Sequence, residues 1–210
     1  PALLKFNALI FPVSLLFLLQ FQRKGGNNLV LYSAEGLSDR AQARNLLALA
    51  AKEAWGLSPL PEIALREGGK PFFPEYPGLH FNLSHSGDLA LCALDGAPVG
   101  VDIQLVRQWR PSLPRRVCSP EELAWLEGQP KFWPAFTLLW TLKEARVKES
   151  GKGLTSSIRD IRVPLPEKGP VLFDGLRCRS WSGPGWAAAV CGRSEPPEDF
   201  LKKVLDIPTV

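Results

Sequence analysis

Val99-Gly100-Val101-Asp102-Ile103-Gln104 alternates apolar and polar residues, the signature of a strand with one buried face. Side chains two apart share a face, so Val101 and Ile103 point one way while Asp102 and Gln104 point the other. A carboxylate and an amide oxygen in that arrangement suit one hard cation, or equally an ordinary solvated strand face. Upstream, Asp88 to Leu94 reads as a second strand. The intervening Asp95-Gly96-Ala97-Pro98 carries turn residues, so the two runs are expected to pair as a hairpin.

Downstream of the hairpin, a link rich in proline and arginine leads to Ser119-Pro120-Glu121-Glu122, a capping box with proline at the first helical position. A longer helix is expected over Phe132 to Glu149, ending near Gly151 and Gly153. Within Trp140-Thr-Leu-Lys-Glu-Ala-Arg-Val-Lys148, Glu144 and Lys148 stand one turn apart on one face. They fit a surface ion pair, or a site if Glu144 meets Asp102 across a cleft. Magnesium suits such a pair because it takes few carboxylates, keeps waters and accepts substrate phosphate oxygens.

Outside this core, Leu29 to Tyr32 reads as a strand. Ser38 is expected to cap a helix over residues 41–55, stopped by Gly56. A loop over 57–78 leads to an extended piece at Leu79 to Leu83. Phe81-Asn82-Leu83-Ser84-His85-Ser86-Gly87 ends in small polar residues beside a histidine. That is either a plain turn or a loop offering backbone N–H, hydroxyl and imidazole groups to a phosphate, with Lys70 as an added cation. Four further strands are expected at Ile158 to Val163, Val171 to Phe173, Leu176 to Trp181 and Trp186 to Cys191, and the tail from Ser194 is expected to cover the surface.

Composition bounds the rest. The 20 prolines in 210 residues call for short elements and many turns, and 45% hydrophobic residues supply a core. A net charge of +4 is too small to argue for nucleic acid but fits an anionic ligand or acidic partner. Cys92, Cys118, Cys178 and Cys191 form no C-x-x-C pair, which argues against structural zinc and for buried thiols. The apolar run 8–21 is interrupted by Pro12 and is short for a membrane span, so it reads as buried structure.

Four segments in register, Gly69-Lys70-Pro71, FNLSHSG at 81–87, VGVDI at 99–103 and LWTLKEARVKESGKGL at 139–154, resemble the larger, surfactin-synthetase type of 4′-phosphopantetheinyl transferase. The resemblance implies an α+β fold of two similar halves with the active site in the cleft between them. The halves are drawn at 1–104, with the phosphate contacts and metal strand, and 105–210, with the catalytic helix and terminal strands. The boundary lies between Val99 and Arg116.

Carried onto this sequence, the resemblance implies that Asp102 and Glu144 bind Mg2+ with the coenzyme A diphosphate. Lys70, Ser84 and His85 would hold phosphates. Lys148 would neutralise the diphosphate, helped by Lys143, and Glu144 would act as base. Gln104 stands where the family often has glutamate, implying weaker magnesium binding. The family's helix before Gly-Lys-Pro usually carries a phosphate-binding arginine. Ala48 lies near that place, leaving Arg40 and Arg44 as candidates.

The implied reaction moves phosphopantetheine from coenzyme A to a serine of an apo acyl or peptidyl carrier protein. The expected agent is a monomeric, cytoplasmic enzyme with no nucleic-acid or membrane partner. Arg107, Arg110, Arg115 and Arg116 would steer an acidic carrier, and Trp125, Phe132 and Trp133 would anchor it or fill the core. The competing readings are a coenzyme A-binding module without turnover, a magnesium phosphohydrolase, and a surface protein anchored by residues 8–21.

Overall fold

The structure, a computed structural model, describes residues 29–39, 41–153 and 157–205. Among the described residues, ten strands form two four-stranded sheets and a two-stranded ribbon. The first sheet has the order β10 (Leu201–Lys203), β1 (Val30–Ala34), β5 (Leu89–Asp95), β4 (His80–Ser86). The second has the order β6 (Val99–Leu105), β9 (Trp186–Gly192), β8 (Leu176–Gly183), β7 (Val171–Phe173). The ribbon joins β2 (Ala64–Leu65) to β3 (Pro71–Phe72). Four α-helices are present among the described residues: α1 (Gln42–Trp55), α2 (Leu113–Val117), α3 (Pro120–Glu127) and α4 (Phe132–Ser150).

Strand parity builds four layers. Leu89, Leu91 and Ala93 of β5 face Val99, Val101 and Ile103 of β6 in one cluster between the sheets. The alternate residues Ala90, Cys92 and Leu94 turn outward onto α1, through Leu46, Leu47 and Ala50. On the other side, Ala189 and Cys191 of β9 turn onto α4, through Phe136, Leu139 and Leu142. Every residue of β5 is therefore buried, as a central strand covered on both faces must be.

The expected hairpin between residues 88–94 and 99–106 is not formed. β5 and β6 stack across the gap in different sheets, and β5 instead pairs with β4 around Gly87, at φ +60°. Both strands present an apolar face to the other, and stacking buries those faces where pairing edge to edge would not. Asp95-Gly96-Ala97-Pro98 serves as the crossing between layers. The Asp95 carboxylate accepts from the Ala97 N–H at 3.3 Å and the Ser194 hydroxyl at 2.9 Å. The division at 104/105 falls inside β6, whose strand pairing is with β9 of the second sheet.

The tail from Ser194 is mostly exposed or half-buried, and part of it forms a strand not expected from the sequence. β10 pairs parallel with β1, and Lys203 bonds Glu53 of α1 at 2.7 Å, so the C-terminal segment completes the first sheet. Residues 158–160 form a 3₁₀ turn where a strand was expected. Their carbonyls are drawn to the Lys143 ammonium.

Helix boundaries follow their signals. The Ser119–Glu122 capping box is complete, and Gly56 and Gly151 end α1 and α4 in the left-handed conformation, both at φ +67°. At the start of α1 the Asp39 carboxylate, rather than Ser38, accepts from the Gln42 N–H. All four cysteines are buried and unbridged. The apolar run 8–21 and Arg40 lie outside the described residues. No helix among the described residues is long and apolar enough to cross a membrane.

β6 meets α4 backbone to backbone. A Cβ on Gly100 would run into the Ala145 carbonyl oxygen and the Glu149 amide nitrogen. Gly100→Ala therefore forces helix and strand apart. It is expected to cost about 1–3 kcal/mol, read as a lower Tm in thermal denaturation; an unchanged Tm would mean the contact has slack.

Candidate functional site

The two sheets meet at their edges through side chains instead of strand pairing. β6 is an edge strand, so alternate N–H and C=O groups lack ladder partners. The Asn82 side-chain oxygen accepts from Val101 N–H at 2.9 Å, Ser84 Oγ from Ile103 N–H at 3.2 Å, and Ser86 Oγ from Leu105 N–H at 3.0 Å. The outward carbonyls receive lysines: Lys70 Nζ donates to Val99 O at 3.0 Å, and Lys148 Nζ to Val101 O at 3.2 Å. The polar residues at 82–86 are thus a strand, where a phosphate-binding loop was one of two expectations.

Asp102 sits on the face that β6 turns to α4. Its Oδ1 accepts from Ser84 Oγ at 2.7 Å and from Lys148 Nζ at 2.6 Å. Its Oδ2 is buried with no hydrogen-bond partner. Burial and then the Asp102 charge push the Glu144 carboxyl above its ordinary range, with Lys148 opposing. Two neighbouring carboxylates, one with an orphaned oxygen, repel each other, and a small hard cation between them relieves both costs.

Among the described residues no three His, Cys, Asp or Glu side chains converge as ligands. An ion here has two protein carboxylates and must draw its other oxygens from water or substrate, which fits magnesium. Gln104, expected to face the metal, is engaged elsewhere: its Oε1 accepts from Ser86 Oγ at 2.6 Å, repeating the Ser84–Asp102 contact two residues on.

A cleft of about 430 Å³ is lined by Arg44, Lys70, Asn82, Ser84, His85 and Lys148. Ser84 and Lys148 each bond Asp102 and so join cleft to carboxylates. Arg44, one of the two candidates from sequence, reaches this cleft from the first turn of α1. Lys70 is held at its rim, where burial pulls its ammonium down to about 8 against the nearby Glu149 charge.

Lys143 does not share the cleft. Its ammonium is fully buried, pairs with Glu122 at 3.0 Å and donates to the Ile158 and Ile161 carbonyls at 3.2 and 2.7 Å. Its expected help at the diphosphate is corrected by geometry: one residue along a helix is a 100° turn away from Glu144.

Arg107, Arg110, Arg115 and Arg116 are exposed, and Arg107 stacks on Trp109 at 3.8 Å. Trp125, Phe132 and Trp133 are half-buried against the α4 cluster. The role of Asn82 and Ser86 was missed by the sequence reading; the period-two polar spacing of FNLSHSG was the available signal.

Residues 98–191 match the model of the 4′-phosphopantetheinyl transferase superfamily. This segment runs from the layer crossing through β6, α4 and β9, and so contains Asp102, Glu144 and Lys148. Among individual proteins, the chain is similar to a 4′-phosphopantetheinyl transferase of Bacillus subtilis, 36% identical over 132 residues, covering 61% of this chain and 59% of that one. It is similar to the transferase Sfp of Bacillus subtilis strain 168 at 33%, covering 64% and 65%, and to the transferase AcpT of Salmonella typhi at 46%, covering 52% and 59%. The resemblance carried by the four motifs is borne out. The chain spans about three fifths of the length of these relatives.

Proposed function

We propose that this chain transfers the 4′-phosphopantetheine group of coenzyme A to a serine hydroxyl of an apo acyl or peptidyl carrier protein. It would act as a monomer in the cytoplasm, with no nucleic-acid or membrane partner and with Mg2+ held by Asp102 and Glu144. The observation that supports this reading best is the grouping of Asp102 and Glu144 around Lys148, which itself lines a cleft with Arg44, Lys70 and His85.

In the reaction, the serine oxygen forms a bond to the β-phosphorus while the phosphoanhydride bond breaks. Adenosine 3′,5′-bisphosphate leaves with the bonding electrons. Bound Mg2+ supplies charge neutralisation for the diphosphate. Arg44 and His85 hold the nucleotide's phosphates. Lys148, already poised beside Asp102, offers its ammonium to the charge developing on the leaving oxygen. Glu144 takes the serine proton, directly or by way of a water; its raised pKa suits that task. The exposed arginines at 107–116 favour an acidic carrier by long-range attraction.

Gln104 favours a second reading, a coenzyme A-binding module with little turnover, because it withholds a third charge from the metal. Intact-protein mass spectrometry separates the two. An apo acyl carrier protein incubated with this protein, coenzyme A and Mg2+ is expected to gain one phosphopantetheine, and a chelator to prevent it. Coenzyme A binding without any gain, across several acyl and peptidyl carriers, would establish the binding module instead.

A further inference from the structure

We propose that Lys70 is a positioning residue, a strut that fixes the separation of Asp102 and Glu144, and that it is not a phosphate ligand; the carboxylates' role as metal ligands rests on the function proposed above. The Lys70 ammonium bridges two backbone carbonyls, Val99 O at 3.0 Å and Glu149 O at 2.7 Å. The first opens β6, three residues before Asp102. The second lies in the last turn of α4, five residues after Glu144. One side chain thus ties the strand of one carboxylate to the helix of the other.

Lys148 of α4 also ties helix to strand, through Val101 O and Asp102 Oδ1, and Lys70 adds a second tie at the other side of Gly100. No side chain intervenes at Gly100, where β6 and α4 touch through bare backbone. The loop bearing Lys70 is pressed on the end of α4: a Cβ on Gly68 would run into the Gly151 carbonyl oxygen, and one on Gly151 would lie 2.9 Å from Lys70 Cδ. The Glu149 carbonyl is one of the orphans at a helix C-terminus, so the ammonium meets a need that helix geometry creates. Two of its three N–H groups are spent on these carbonyls. A phosphate in the cleft therefore finds at most one donor here, while Arg44 and His85 remain for it.

The test is calorimetric titration of Mn2+, alone, into the wild-type protein, Lys70→Met and Lys70→Arg, with folding checked by circular dichroism. Methionine keeps the apolar stem and removes both hydrogen bonds. It is expected to weaken Mn2+ binding at least tenfold. Arginine keeps the charge but changes the strut's length and shape. It is expected to weaken Mn2+ binding three- to tenfold, and carries the test if the methionine variant does not fold. In transfer assays both variants are expected to keep the wild-type ratio of KM for coenzyme A to KM for 3′-dephospho-coenzyme A within twofold.

Unchanged Mn2+ affinity in a folded variant overturns the strut. So does a tenfold loss of preference for coenzyme A over its 3′-dephospho form, which would make Lys70 a phosphate ligand. Should the wild-type protein transfer nothing while Lys70→Met still loses Mn2+, the strut stands and the transferase reading falls.

Discussion

Glu144→Gln is expected to lower phosphopantetheine transfer by about 10³-fold or more while leaving the fold intact. The substitution is nearly isosteric. On the proposed function it removes one of two metal carboxylates and the group that would accept the serine proton, and loss of a general base alone typically costs about 10²–10⁴-fold. Stability should move the other way. The Glu144 carboxyl is raised by burial and by Asp102, so its charge is a cost to the folded state that a neutral amide relieves. The expected result is a severe loss of rate with a Tm equal to or above wild type. Single-turnover mass spectrometry beside a thermal melt checks it. A variant within tenfold of wild-type rate would remove Glu144 from the chemistry, and a collapsed Tm would make it structural.

Lys143→Ala inverts that pattern. Lys143 and Glu122 are a buried pair, and deleting one partner strands the other charge. It also leaves the inward carbonyls of Ile158 and Ile161 without a donor. Breaking such a pair costs about 3–5 kcal/mol. At about 2–4 °C per kcal/mol for a chain of this size, Tm should fall by roughly 6–20 °C. The activity of the molecules that remain folded, assayed well below the new Tm, should stay within a fewfold of wild type, because the ammonium never reaches the cleft. A folded but inactive variant would return Lys143 to the reaction.

These neighbours in sequence, Lys143 and Glu144, mark how far the chain could be read. The motif containing them was legible, and so were the helix caps at Ser119, Gly56 and Gly151, because each depends on residues within a few positions of one another. What helix rotation does to adjacent residues depends on what lies around the helix. Only the folded position of Glu122 and of the 158–161 turn assigns Lys143 to the core. The stacking of β5 on β6 was hidden for a like reason. Alternation fixes which side chains share a face but not whether that face meets a neighbour beside it or above it. Likewise, FNLSHSG shows its polar period, yet its use on the Val101, Ile103 and Leu105 amides requires a strand from the other sheet. Arg44 was only a candidate in sequence, since a helix of uncertain start leaves its direction open; with α1 beginning at Gln42, Arg44 lines the cleft.

The side-chain ladder from β4 to β6 also covers two long strand edges. An exposed strand edge is a template on which another chain can add a strand. Here the seven-residue edges of β4 and β6 face each other, and the amides of β6 are taken by Asn82, Ser84 and Ser86. The outer edges among the described residues are β7 and β10, three residues each, and β10 carries Lys202 and Lys203. Parting the two layers would uncover the long edges and the apolar faces around Leu91 and Val101 in a single event. Damage to the seam at 82–86 should therefore appear as self-association on warming, before it appears as lost secondary structure.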